Sequence, residues 1–288
     1  MTLSYAESNI VLGAGRFFID RHDGKNGPTG AEEYVGDTVG ATVSATTERT
    51  TIFSGDGAVA SKLIDKVTQI DRSMGITPQD SRLDNIALFL IANQPATRAE
   101  VANASIPKSA FAVPSGSTVN TVFQLGCTPS NPAGAPRFAD AAEGTAWTVA
   151  FKFGDTAGDA PTGTALVDAD YTLDKETGRL QFTAAGLAKV SGKHVVPTFT
   201  GAKLLAFERV SVDSDARQVR VAVRYIEEAD EGIEGRNIYI PQASVSPAGE
   251  AALKSRDTAQ QFALTLAVEE PSYTGAPAQQ MYIDGVPA

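Results

Sequence analysis

Apolar side chains along this chain recur mostly at every second position, the period of a strand with one buried face, and only once at helical spacing. Val219, Val221, Val223 and Tyr225 alternate with Arg220, Ala222 and Arg224, and Trp147, Val149, Phe151 and Phe153 alternate with Thr148, Ala150 and Lys152. Both runs predict half-buried antiparallel strands. The exception is residues 77–93, where Leu83, Ile86, Ala87, Leu90 and Ile91 fall at i, i+3, i+4, i+7 and i+8. Thr77 before Pro78 offers an N-cap and a first-turn proline, Asp80 and Ser81 with Asp84 offer capping boxes, and Asn93 and Pro95 stop the run. The spacing predicts one amphipathic α-helix over about 78–93, covering a β structure because it is not stable alone.

Further strands are expected at 14–20, 37–46, 63–72, 119–125, 145–153, 194–200, 235–243 and 261–268, with a hairpin of 165–173 and 179–183 around the turn 174–178. A strand over 203–213 is expected to pair with 216–228. Between the second and third strands, residues 47–62 (TERTTIFSGDGAVASK) read as a long loop with a flexible centre, and connections of that length are usually functional. Residues 96–143 form a connector or insertion. The termini read as extended, the last dozen residues as a tail that needs a partner.

At 288 residues the chain can bury a substantial core, and 42% hydrophobic with 20% charged residues is a globular balance. No apolar run approaches the length of a membrane span, and the start lacks the pattern of a signal peptide. A net charge of −10 argues against a surface that grips phosphate backbones. The single cysteine, Cys127, excludes an internal disulfide or a cysteine metal cage. His22 and His194 have no nucleophile or orienting acid nearby in sequence. Gly13-Ala14-Gly15 lacks a third glycine and precedes a strand, residues 20–27 (DRHDGKNG) miss calcium-loop spacing, and the acids of 227–234 read as a solvated loop. No enzyme, metal site or cofactor is expected.

Three segments taken together carry a resemblance. GRFFIDRHD is followed by Tyr34-Val35-Gly36-Asp37-Thr38, and then LIDKVTQIDRSMGITPQDSRLDNIALFL contains Asn85-Ile86-Ala87-Leu88-Phe89. Asp170-Tyr171 through Thr177-Gly178-Arg179-Leu180-Gln181-Phe182, and Gly235-Arg236-Asn237-Ile238-Tyr239-Ile240-Pro241 through Phe262-Ala263-Leu264, extend the likeness over most of the chain outside 96–143. The pattern resembles the major tail tube proteins of long, non-contractile-tailed bacteriophages.

That resemblance implies a single tail tube domain over 1–288. Its fold is an antiparallel β-sandwich flanked by one helix, with an inner β-barrel formed by the assembled subunits. It implies a structural virion protein, not an enzyme, that stacks as homohexameric rings and is assembled in the host cytoplasm. Implied partners are further copies of itself, a tape measure protein in the lumen, and tail terminator and distal tail or baseplate proteins. Double-stranded DNA would pass an acidic lining without specific binding. The long loop is the expected ring-stacking element, with Glu48, Arg49, Ile52, Phe53, Val59 and Lys62 as its interface residues. The alternative is a non-catalytic β-sandwich binding or capsid-decoration module, which would present clustered exposed aromatics.

Overall fold

The computed structural model describes residues 13–56, 59–213, 218–228 and 235–284. The N-terminal extension to residue 12, most of the acidic loop 227–234 and the end of the tail, 285–288, lie outside the described residues. In chain order the elements are β1 (Gly15–Arg21), β2 (Glu33–Tyr34), β3 (Thr38–Phe53), β4 (Lys62–Pro78), α1 (Leu83–Phe89), β5 (Ala96–Arg98), β6 (Val101–Ala102), β7 (Phe111–Ala112), β8 (Val122–Gln124), β9 (Phe138–Asp140) and β10 (Thr148–Gly154). They continue with β11 (Thr164–Ala165), β12 (Tyr171–Asp174), β13 (Arg179–Phe182), α2 (Ala184–Val190), β14 (His194–Thr200), β15 (Ala202–Leu204), β16 (Phe207–Arg209), β17 (Arg220–Glu227), β18 (Asn237–Pro247), β19 (Leu264–Val268) and β20 (Tyr282–Asp284). The protein is mainly β, built from several antiparallel sheets, as its alternating pattern requires.

Where the sequence reads as one domain, the chain divides into two compact units, 1–96 with 210–288 and, between them in sequence, Thr97–Arg209. The first unit carries an eight-stranded sheet in the order β2-β1-β17-β18-β19-β4-β3, with β20 on β18. Its core face gathers Phe17, Ile19, Met74, Ile76, Val221, Val223, Ile240, Leu264 and Leu266, and Leu88 of α1 joins that cluster. The second unit packs the sheets β11-β10-β14-β7, β12-β13-β8 and β6-β15-β9 around its own core. Phe138 stacks there between Trp147 at 5.2 Å and Phe199 at 5.3 Å. The alternating phase of residues 147–153 is as expected, with Trp147 and Phe151 buried and Thr148, Ala150 and Lys152 exposed.

Several expectations are corrected. The helix is shorter than 78–93 because Thr77 and Pro78 finish β4, paired with Thr38, and the N-cap is Arg82 without a side-chain bond. Its buried face is Asn85, Ala87 and Leu88, with Leu90 exposed, because the Asn85 amide donates 2.8 Å bonds to the carbonyls of Val35 and Asp80 and fixes the rotation. A second helix, α2, is present, its Thr183 hydroxyl accepting from the Gly186 amide. Residues 203–213 do not pair with β17. They divide into β15, which joins β6 and β9, and β16, which joins β5, while β17 lies between β1 and β18. The connector 96–143 supplies five short strands, and the tail reaches back as β20 to pair Ile283 with Ile238. The largest correction is at 47–62, treated next.

Candidate assembly interface

Residues 47–53 continue β3 without a break, and the turn is confined to 54–61, closed by a 2.8 Å bond from the Ser54 amide to the Ser61 carbonyl. The expected long loop is therefore the distal part of a β-hairpin with strands of 16 and 17 residues. The local cause is composition: Thr38 to Thr51 is rich in Thr and Val, β-branched residues that prefer extended backbone, and holds neither proline nor a helix signal.

Only the base of this hairpin belongs to the wider sheet. β19 pairs with β4 from Ser73 to Ile76, and beyond Ser73 the two strands pair only with each other among the described residues. Directly opposed residues share a face. Val43 with Met74, Ala45 with Arg72, Thr47 with Ile70, Arg49 with Val67 and Thr51 with Asp65 form one face. Thr42 with Gly75, Ser44 with Ser73, Thr46 with Asp71, Glu48 with Gln69 and Thr50 with Lys66 form the other. The first face is the core face prolonged into solvent. Met74 is 2% exposed, whereas Val43, Ile70 and Val67 on the same face are 55%, 47% and 37% exposed.

Ile70 and Val67 are three apart and would lie on opposite faces of a regular strand. A β-bulge at Thr68, where the register steps from Gln69 opposite Glu48 to Val67 opposite Arg49, brings them onto one face. The Thr68 hydroxyl donates to the Glu48 carbonyl at 3.2 Å. A second register shift sets Leu63 apart near the tip, where Ile52 faces Ile64 and Phe53 faces Lys62. Lys62 at 2.6 Å and Arg49 at 3.5 Å both reach Asp65, and the Lys62 bond holds its carboxyl below the usual range. Such exposed pairs contribute little and do not hold the arm together.

Of the six expected interface residues, Glu48, Arg49, Ile52 and Phe53 lie on β3, Lys62 opens β4 and Val59 sits in the turn. All are exposed and all belong to the distal arm, with Glu48 on the polar face and Arg49 on the apolar one. Sequence reasoning missed Val43, Val67 and Ile70, exposed on the first face, and Leu63 and Ile64 near the tip, where the register puts Ile52 and Ile64 on the other face with Thr50 and Lys66. It also missed the outer edge of β3, which ends the sheet and has no strand beside it among the described residues. At the opposite border β2 covers β1 only at Phe18 and Ile19. Long edges with few charges are pairing templates for another chain.

The chain matches no protein-family model and no curated protein. The residues weighed for chemistry are engaged structurally. Asp20, at the head of the calcium-like segment, accepts from the Thr29 amide and hydroxyl and from the Gly30 amide at 2.6–3.1 Å. His22 bonds the Pro241 carbonyl at 3.0 Å and meets the Tyr273 ring edge-on, and burial lowers its pKa. His194 meets the Asp155 carbonyl at 3.4 Å, and the Cys127 thiol, raised by burial, donates to the Pro132 carbonyl. Glu227 is paired with Arg236 at 2.8 Å, which lowers its pKa. Among the described residues no group of His, Cys, Asp or Glu is placed to hold a metal, and no helix is long and apolar enough to cross a membrane.

Proposed function

We propose that the chain is a structural virion protein that polymerises as stacked homohexameric rings into the tube of a phage tail, forming the channel for DNA delivery. The observation that carries this reading is the two-stranded arm with Val43, Ile52, Phe53, Ile64, Val67 and Ile70 in solvent. An isolated two-stranded hairpin is marginal in water, and apolar side chains exposed on it in this number mark an interaction site. A second copy of the chain both buries that surface and pairs the free edge of β3. The resemblance of residues 15–89, 170–182 and 235–264 to major tail tube proteins supports the same architecture.

The solvent face of the same sheet suits passage of DNA. Its cross-strand rows read Ser44-Ser73-Ala267-Ser244 and Thr42-Gly75-Thr265-Ser246. Arg220 ends the first row and is tied to Glu269 at 2.8 Å. These rows of hydroxyls give phosphates few counter-ions to release and little purchase, with Lys66 the cation farther along the same face. In this reading the lumen is hydroxylated, with Glu48 and Asp71 toward the arm, rather than uniformly acidic. The tape measure protein, tail terminator and baseplate remain the implied partners. Negative-stain microscopy of the concentrated chain is expected to show hollow tubes of stacked six-fold rings. A compact monomer at every concentration would overturn the proposal in favour of a β-sandwich binding or decoration module.

A further inference from the structure

The second unit contains a cleft of about 360 Å³ lined by Arg98, Ser105, Ser130, Leu204, Phe207 and Arg209, among others. That volume is within the range of small-molecule sites. No carboxylate lines it, although the chain as a whole carries a net charge of −10. Among the described residues no ion pair engages either arginine, and the acid next to the cleft, Glu100, is taken by Lys203 at 3.2 Å. Strand alternation turns Glu208 to the face of β16 opposite Phe207 and Arg209.

Arg209 is held in place. Its guanidinium lies 5.0 Å from the Phe207 ring centre, Nη1 donates to Asn131 Oδ1 at 2.6 Å, and Nη2 reaches the Gly134 carbonyl at 3.5 Å. Asn131 is fixed in turn by its own amide bond to the Gly134 carbonyl at 2.9 Å. A guanidinium oriented by neutral partners keeps its full charge and offers its remaining N–H groups to an oxyanion. Arg98 adds a second positive charge at the rim. Ser105 and Ser130 supply hydroxyls, and Leu204 with Phe207 supplies an apolar wall.

We infer that this cleft binds a small organic anion, its carboxylate or phosphate engaged by Arg98 and Arg209 and its hydroxylated body set against the serines and the apolar wall. The site lies wholly within the second unit and is independent of the polymerisation proposed above. The test is calorimetric titration of the full chain at low salt with glucuronate, glucose 6-phosphate and glucose. Saturable binding is expected for at least one acid, at least tenfold tighter than for glucose and weakening as salt rises. Arg98→Gln, at an exposed position, is expected to weaken it roughly tenfold or more with the melting temperature unchanged. Arg209→Lys, which keeps the charge and loses the fork, serves as the second variant. The tighter acid identifies the oxyanion. Absence of saturable binding by both acids, equal affinity for glucose, or affinity untouched by Arg98→Gln would overturn the assignment.

Discussion

Along a single face of the β3–β4 hairpin, Met74 and Ile76 are sealed in the core while Ile70 and Val67 stand in water. Composition does not separate the two regions, since both are rich in β-branched residues with alternating faces. What separates them is β19 and the sheet behind it, which support β4 only as far as Ser73. The difference teaches that strand formation and burial are independent: propensity and cross-strand bonds extend the hairpin, and apolar residues beyond the support stay exposed. The second unit makes the point from the other side. Its hairpin β12–β13 also has alternating faces, but Leu180 and Phe182 are buried against Phe123 and Val190.

Substitutions break or sharpen this contrast. Met74→Ala removes a buried side chain at the supported base and is expected to cost about 2–5 kcal/mol of the subunit's stability. Denaturant unfolding measures it, and a cost equal to that of Ile70→Ala would erase the contrast. An intermediate effect is expected from Asp170, buried in the second unit, where the Lys189 ammonium at 2.7 Å and then the Val167 amide hold its carboxyl below the usual range. A carboxyl with a depressed native pKa contributes stability above its unfolded value, near pH 4, and loses it as pH falls through the native value. Asp170→Asn is therefore expected to lower the melting temperature at neutral pH and to flatten its acid dependence. Asp65→Asn on the exposed arm is expected to leave both nearly unchanged. The smallest change in subunit stability, within about 0.5 kcal/mol, is expected for Ile52→Ser with Phe53→Ser. The same pair is expected to abolish polymerisation, so a variant that still forms tubes would remove the tip from the interface.

Much of the architecture was legible. Strand phase at 147–153 follows from alternation because one face is buried, whereas at 219–225 Val221 and Val223 are buried as expected but Ala222, on the other face, is buried too. Ile52, Phe53 and Val59 stood out in the sequence because apolar side chains beside Ser54-Gly55-Asp56-Gly57 have no local partner. The extent of the arm was not legible, because a run such as Thr46-Thr47-Glu48-Arg49-Thr50-Thr51 shows no apolar alternation and strand pairing is set by its opposite number. The bulge at Thr68 was hidden for the same reason: it exists only in the register between two strands. The division into two units and the cleft at Arg98 and Arg209 depend on the return of β16 to β5, a pairing more than a hundred residues apart that no local pattern encodes.

The most direct test of the arm as an assembly element is hydrogen exchange on amides of residues 45–53 and 62–72, in the free subunit and in the assembled protein. In the free subunit these amides are expected to exchange faster than those of β19 and of β4 from Ser73 to Ile76, since only the hairpin's own bonds protect them. On assembly the distal amides are expected to gain at least tenfold in protection while the base stays constant. Equal protection of the distal arm in both states would contradict the account.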